Sequence, residues 1–132
     1  MAATVLGRPP FTIHDLLGEL TWPIPQPDVR WVETVGGVRS PCSSEGADTV
    51  DLCRLLRPDV LVLVADAGLG AINAVRLCSA ALTGLPFIVM LNRCAGDLAE
   101  RNRAWLADVD GFDVVTDPLM LAQRLRQARA AG

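Results

Sequence analysis

The residues whose types and spacing could do chemistry fall in four short groups. Glu33 leads into a glycine pair, Gly36 and Gly37, and the stretch "WVETVGGVRSP" stops at Pro41. "GLGAIN", Gly68 to Asn73, places Gly70 at the start of a helical pattern. Asn92 and Arg93 close an apolar run, and Pro118 follows Thr116 and Asp117. A strand that carries an acid into a glycine turn suits a nucleotide or metal site, because a carboxylate can ligate a cation and glycines let the backbone approach a ligand. A helix start exposes N–H groups which, with the helix dipole, favour an anion. An asparagine amide both donates and accepts. Each group also has a plainer reading. Glu33 reads equally as a turn carboxylate accepting backbone N–H groups, Gly36 and Gly37 as a left-handed turn, and Asn73 as a cap or surface residue.

The elements that must position these residues follow from periodicity. Thr12 and Asp15 have capping-box spacing and open a short helix through Leu20, with His14 as a half-exposed member. "WPIPQP", Trp22 to Pro27, is excluded from helix by its three prolines and reads as a stiff linker. "VRWVET" is expected to be a strand, and "ADTVDLCRLLR" puts Val50, Leu52, Cys53, Leu55 and Leu56 on one side of a helix. "DVLVLVA" and "PFIVMLN" are solidly apolar, as for strands buried on both faces, and "FDVVT" is a further strand. "GLGAINAVRLCSAAL", "DLAERNRAWLADV" and "DPLMLAQRLRQARAA" read as the helices between and after them, the last with Pro118 in its first turn. Strands alternating with helices in this order predict an α/β fold, an open parallel sheet of about four strands covered by helices. The expected division is a helix and proline-rich linker over 1–28 and an α/β domain over 29–132. Ligands of such sheets sit beyond the carboxyl ends of the strands, where the loops begin at Glu33, Ala65, Asn92 and Thr116.

Composition narrows the classes. The 132 residues are 51% hydrophobic and 20% charged, which reads as one compact globular chain. The net charge is −3, and all 12 basic residues are arginine. A mildly acidic chain lacks the electrostatic footprint of a nucleic-acid binder. The start has no charged-then-apolar export pattern, and the uncharged stretch from Leu77 to Asn92 is broken by Gly84 and Pro86, so no membrane span is expected. Cys42, Cys53, Cys78 and Cys94 have no C-x-x-C spacing, and a reduced cytoplasmic protein with thiols packed as small apolar groups is the simplest account.

Taken in order, the loops resemble the carboxy-terminal half of dethiobiotin synthetase. That family has a glutamate-glycine-x-glycine-glycine turn ending in proline, matched by Glu33, Val35, Gly36, Gly37 and Pro41. Thr49, Asp51 and Leu52 match its next helix, "GLGAIN" its glycine-leucine-glycine-threonine-isoleucine-asparagine turn, and Asn92 with Arg93 its asparagine-arginine pair. The match runs from about Phe11 to the end of the chain and covers only the latter part of a family member. The resemblance implies a truncated P-loop NTPase-like fold and an ATP- and magnesium-dependent ring closure of 7,8-diaminopelargonic acid with carbon dioxide. It implies Glu33 as a magnesium ligand. It also implies Asn92, Arg93 and Pro118, with Gly36 and Gly37, at the nucleotide. Gly70, Asn73 and Pro41 fall at the substrate, where the family receives a carboxylate from the neighbouring subunit.

The departures bear on catalysis. The chain has no G-x-x-x-x-G-K-[ST] loop and no lysine. Thr34 replaces the first glycine of the turn, and Ala74 stands where a histidine often follows the asparagine. Phosphoryl transfer rests on positioning and electrostatics, so a chain without that loop should not make dethiobiotin alone. Two expectations follow. Either this is one part of a synthetase-like ligase whose partner chain carries the phosphate loop, or it is a non-catalytic relative acting as a binding or oligomerisation module. Trp22, Trp31 and Trp105 are candidate interface anchors, or core and rim packing. A half-sheet exposes an edge, so a homo-oligomer or a partner chain is expected to seal it.

Overall fold

The computed structural model describes residues 5–131 and divides into two compact units, Met1–Arg57 and Pro58–Gly132.

The first unit is short helices joined by irregular chain. Helix α1 (Ile13–Gly18) opens as its sequence predicts: Asp15 N–H donates to Thr12 Oγ1 at 3.1 Å, and Thr12 N–H to Asp15 Oδ2 at 2.8 Å. Helix α2 (Thr49–Leu56) starts two residues later than its apolar pattern suggests. Asp48 stays extended, and its Oδ1 accepts from Val50 N–H at 2.9 Å and Asp51 N–H at 3.2 Å. Asp51 returns the bond to Asp48 N–H, a second capping box, and Arg39 pairs with Asp48 at 2.8 Å. The helix buries Val50, Leu52 and Cys53, ending at Arg57 in a left-handed conformation.

The strand expected over Val29–Thr34 does not form; the stretch is irregular. Trp31 is 58% exposed and Val35 is 95% exposed. β-branched and aromatic residues favour a strand only by packing against a paired neighbour, and the pairing described in this unit is the single antiparallel bridge between Pro41 and Asp48.

The second unit is the α/β layer. Strand β1 (Leu61–Asp66), helix α3 (Ala71–Ala81), strand β2 (Phe87–Asn92), helix α4 (Gly96–Ala104), strand β3 (Val114–Val115) and helix α5 (Pro118–Ala131) follow in chain order. The sheet is open and parallel, with three strands in the order β1-β2-β3 rather than about four. Leu61 pairs with Phe87 and Asp66 with Asn92, while Val89 and Met90 pair with Val114 and Val115. β2, paired on both sides, buries Ile88, Val89 and Leu91. β1 departs from its expected burial on both faces: it lies at an edge, and Val64 is 61% exposed.

The core gathers Ala67, Val75, Val89, Leu91, Ala99 and Leu106. α4 runs into a π-helical turn, Trp105–Val109, which seats Leu106 fully inside. Arg76 of α3 fastens that turn, its Nε donating to Asp110 Oδ2 at 2.9 Å and its guanidinium lying 6.0 Å from the centre of a Trp105 ring. This hydrogen bond holds the Asp110 carboxyl below the ordinary range. All four cysteines are free thiols, and burial pushes those of Cys42, Cys53 and Cys78 up, which favours the thiol over the thiolate.

Candidate functional site

Because the strands are parallel, their carboxyl ends share one rim, and the loops after β1, β2 and β3 open on it. The first two are locked together. Ala67 N–H donates to Asn92 O at 3.0 Å, joining the strand ends directly. Asp66, the last residue of β1, divides its carboxylate between two tasks. Oδ1 accepts from Gly68 N–H at 2.7 Å, and Oδ2 takes the Arg93 guanidinium from the end of β2. A Cβ on Gly68 would stand 3.0 Å from that Oδ1, so the glycine serves the closeness of the turn. Arg93 holds a positive φ of 55°, and its N–H donates to Asn92 Oδ1 at 2.9 Å. Asn92 is exposed, and its Nδ2 amine has no hydrogen-bond partner among the described residues.

The other face of the β1 loop is held from below. Asn102 of α4, only 8% exposed, donates from Nδ2 to Ala67 O at 2.9 Å and to Gly68 O at 2.8 Å. One buried amide thereby satisfies the Ala67 carbonyl and shares the Gly68 carbonyl with the first N–H of the helix that follows. The loop then enters α3 through Gly70, at φ 87°, with no side-chain cap. Ala71 N–H bonds Gly68 O and Ala74 N–H bonds Gly70 O, so Ile72 and Asn73 N–H lack an internal acceptor among the described residues. Pro118 opens α5 directly after the third loop, where Asp117 Oδ1 caps the helix by accepting from Leu119 N–H at 2.6 Å.

The rim therefore presents an uncapped helix start, a neutralised Asp66–Arg93 pair and the free amine of Asn92. This set can hold an anionic group and donate to a polar ring edge. It offers hydrogen bonds and a local field.

Of the residues singled out by sequence, Gly70, Asn73, Asn92, Arg93 and Pro118 lie on this rim, all exposed. Glu33, Gly36, Gly37 and Pro41 belong to the first unit, and their turn is closed on itself. Gly37 N–H donates to Ser40 Oγ at 2.9 Å and Ser40 N–H to Gly37 O at 2.9 Å. A Cβ on Gly36, at φ 87°, would fall 2.5 Å from Ser40 Oγ, so the turn itself requires the glycine. Glu33 is exposed, and among the described residues no three His, Cys, Asp or Glu side chains gather. One exposed carboxylate does not compose a magnesium site, which takes several oxygens; Glu33 alone does not fit the ion. Asp66 and Asn102 carry the rim and were not singled out by sequence. An acid ending an apolar strand was a signal for Asp66, whereas Asn102 looks like one more polar residue of an amphipathic helix.

The Gly68 hydrogen bond, more than the Arg93 charge, holds the Asp66 carboxyl below its ordinary range. A carboxylate depressed in the folded state stabilises above its unfolded pKa, and that contribution is lost as pH falls through the folded value. Asp66→Asn is therefore expected to melt earlier than the parent at pH 7, with the gap closing below about pH 4. Thermal melts of both proteins between pH 7 and pH 2 check this, and a gap constant with pH would contradict it.

Comparison of this chain with protein-family models, with curated proteins and with solved structures gave no match.

Proposed function

We propose that this chain is a dethiobiotin synthetase-like binding domain that does not catalyse by itself. It keeps the rim that the family uses for adenine and a substrate carboxylate, and it lacks the loop that grips phosphates. One observation supports this above the others: the two resemblance-bearing loops, Gly68–Asn73 and Asn92–Arg93, meet at the carboxyl ends of adjacent strands and are tied by the Asp66–Arg93 pair. The free Nδ2 of Asn92 suits an acceptor on a purine edge, and the open N–H groups at the start of α3 suit a carboxylate.

Calorimetric titration with AMP tests the reading. Weak binding is expected, reduced about tenfold by Asn92→Asp, which keeps the acceptor for Arg93 N–H and removes the amine donor. Absence of binding at millimolar AMP would sink it. No dethiobiotin is expected from 7,8-diaminopelargonic acid, ATP, magnesium and bicarbonate with this chain alone.

The open edge of β1 supports the module form of this reading, a cytoplasmic homo-oligomer without catalysis. Its rival, an ATP- and magnesium-dependent ligase completed by a chain carrying G-x-x-x-x-G-K-[ST], draws on the same edge. Activity restored by adding such a chain would decide for the rival.

A further inference from the structure

The outer row of β1 is open and symmetric about its own centre. Leu61 N–H donates to Pro86 O and Ala67 N–H to Asn92 O, so the odd-numbered residues of β1 turn their peptide groups toward β2. By the alternation of a strand, Val62, Val64 and Asp66 turn theirs outward, and these have no backbone partner among the described residues. Proteins usually blunt such an edge with charge, proline or a bulge. Here Val62, half-buried, and Val64, exposed, carry no charge, and the charge of Asp66 is spent on Arg93.

We infer that β1 pairs antiparallel with β1 of a second copy, about a two-fold axis at Val64, to join the two sheets into one. The spacing admits this register without a gap. Val64 faces Val64 of the partner copy, Val62 faces Asp66, and each outward residue exchanges both of its hydrogen bonds. Apolar Val64, 61% exposed in one copy, is covered by its own equivalent.

Charge agrees with a second copy. The chain is acidic, yet no like charges oppose each other: each Asp66 faces a valine and carries its own arginine, and the two ion pairs lie at opposite ends of the joint. A stable interface buries about 1,200–2,000 Å² in total, more than two short strands supply. Beside the strand runs a groove lined by Leu63, Val64, Leu69, Ala74 and Cys78, where Leu69 is 96% exposed and the small α3 side chains permit close approach. The inference deepens the module reading above and fails separately from it.

Sedimentation velocity of the full chain tests it through the symmetry. Position 64 must face itself, so Val64→Lys and Val64→Glu should each weaken self-association tenfold or more, like charges being opposed at the axis. An equimolar mixture should restore the dimer, because lysine then meets glutamate. The site is already exposed, so both variants should fold, and circular dichroism of each verifies that. A monomeric parent at about 100 μM, or a dimer indifferent to both variants, would overturn the inference. AMP titration of the same samples separates the outcomes: a monomer that binds AMP loses only the interface.

Discussion

Truncating Leu91 to alanine is expected to cost about 3–5 kcal/mol, the largest effect of any single change considered for this chain. Leu91 is fully buried on β2, the strand paired on both sides, and packs with Ala67, Val75, Val89, Ala99 and Leu106. Removing its branched end takes away apolar contact and leaves a cavity between rigidly paired strands, which cannot close in on it. Small domains hold about 5–15 kcal/mol in all, so the loss should bring the sheet unit near its unfolding midpoint. Leu119→Ala, at an exposed position of α5, is the control and should stay within about 0.5 kcal/mol. Urea unfolding followed by far-ultraviolet dichroism gives both values, and equal losses would contradict this account of the core.

The second large effect belongs to Asn102. Its alanine variant leaves the buried carbonyl of Ala67 without its donor, at about 1–3 kcal/mol, and leaves the half-buried Gly68 carbonyl with Ala71 N–H alone. Asn102→Asp should be worse despite its matching shape. It sets an acceptor-only oxygen against two carbonyl oxygens and buries a charge. The ordering distinguishes a hydrogen-bonding role from simple filling, since a filling role predicts that aspartate is the milder change. Amide exchange supplies a local readout: Ala67 and Ala71 N–H, which close the loop on Asn92 O and Gly68 O, should exchange faster in both variants. Unchanged exchange at these amides would show that the loop holds its shape without Asn102. The consequence reaches the rim, because this loop carries Asp66 to Gly70 and the start of α3. AMP binding should weaken in parallel with the local opening.

What was legible in the sequence was local. The Thr12–Asp15 capping box, the helical period behind Val50 to Leu56 and the proline at the start of α5 act within one or two turns, and each produced its element. The long apolar runs became β1 and β2 in parallel register, because helices between them leave no other way to cover both. The tertiary structure alone decided which strand would be central and which an edge. β1 and β2 read alike as sequence, yet one is sealed on both sides and the other leaves Val64 in water. The same cause accounts for Val29–Thr34, whose β-forming composition found no paired neighbour and stayed irregular. It also accounts for Asn102, whose partners lie 35 and 34 residues away along the chain. Caps and periods are properties of neighbours in sequence. Pairing, burial and the satisfaction of a loop's carbonyls depend on which distant segment arrives, and only the folded chain contains that information.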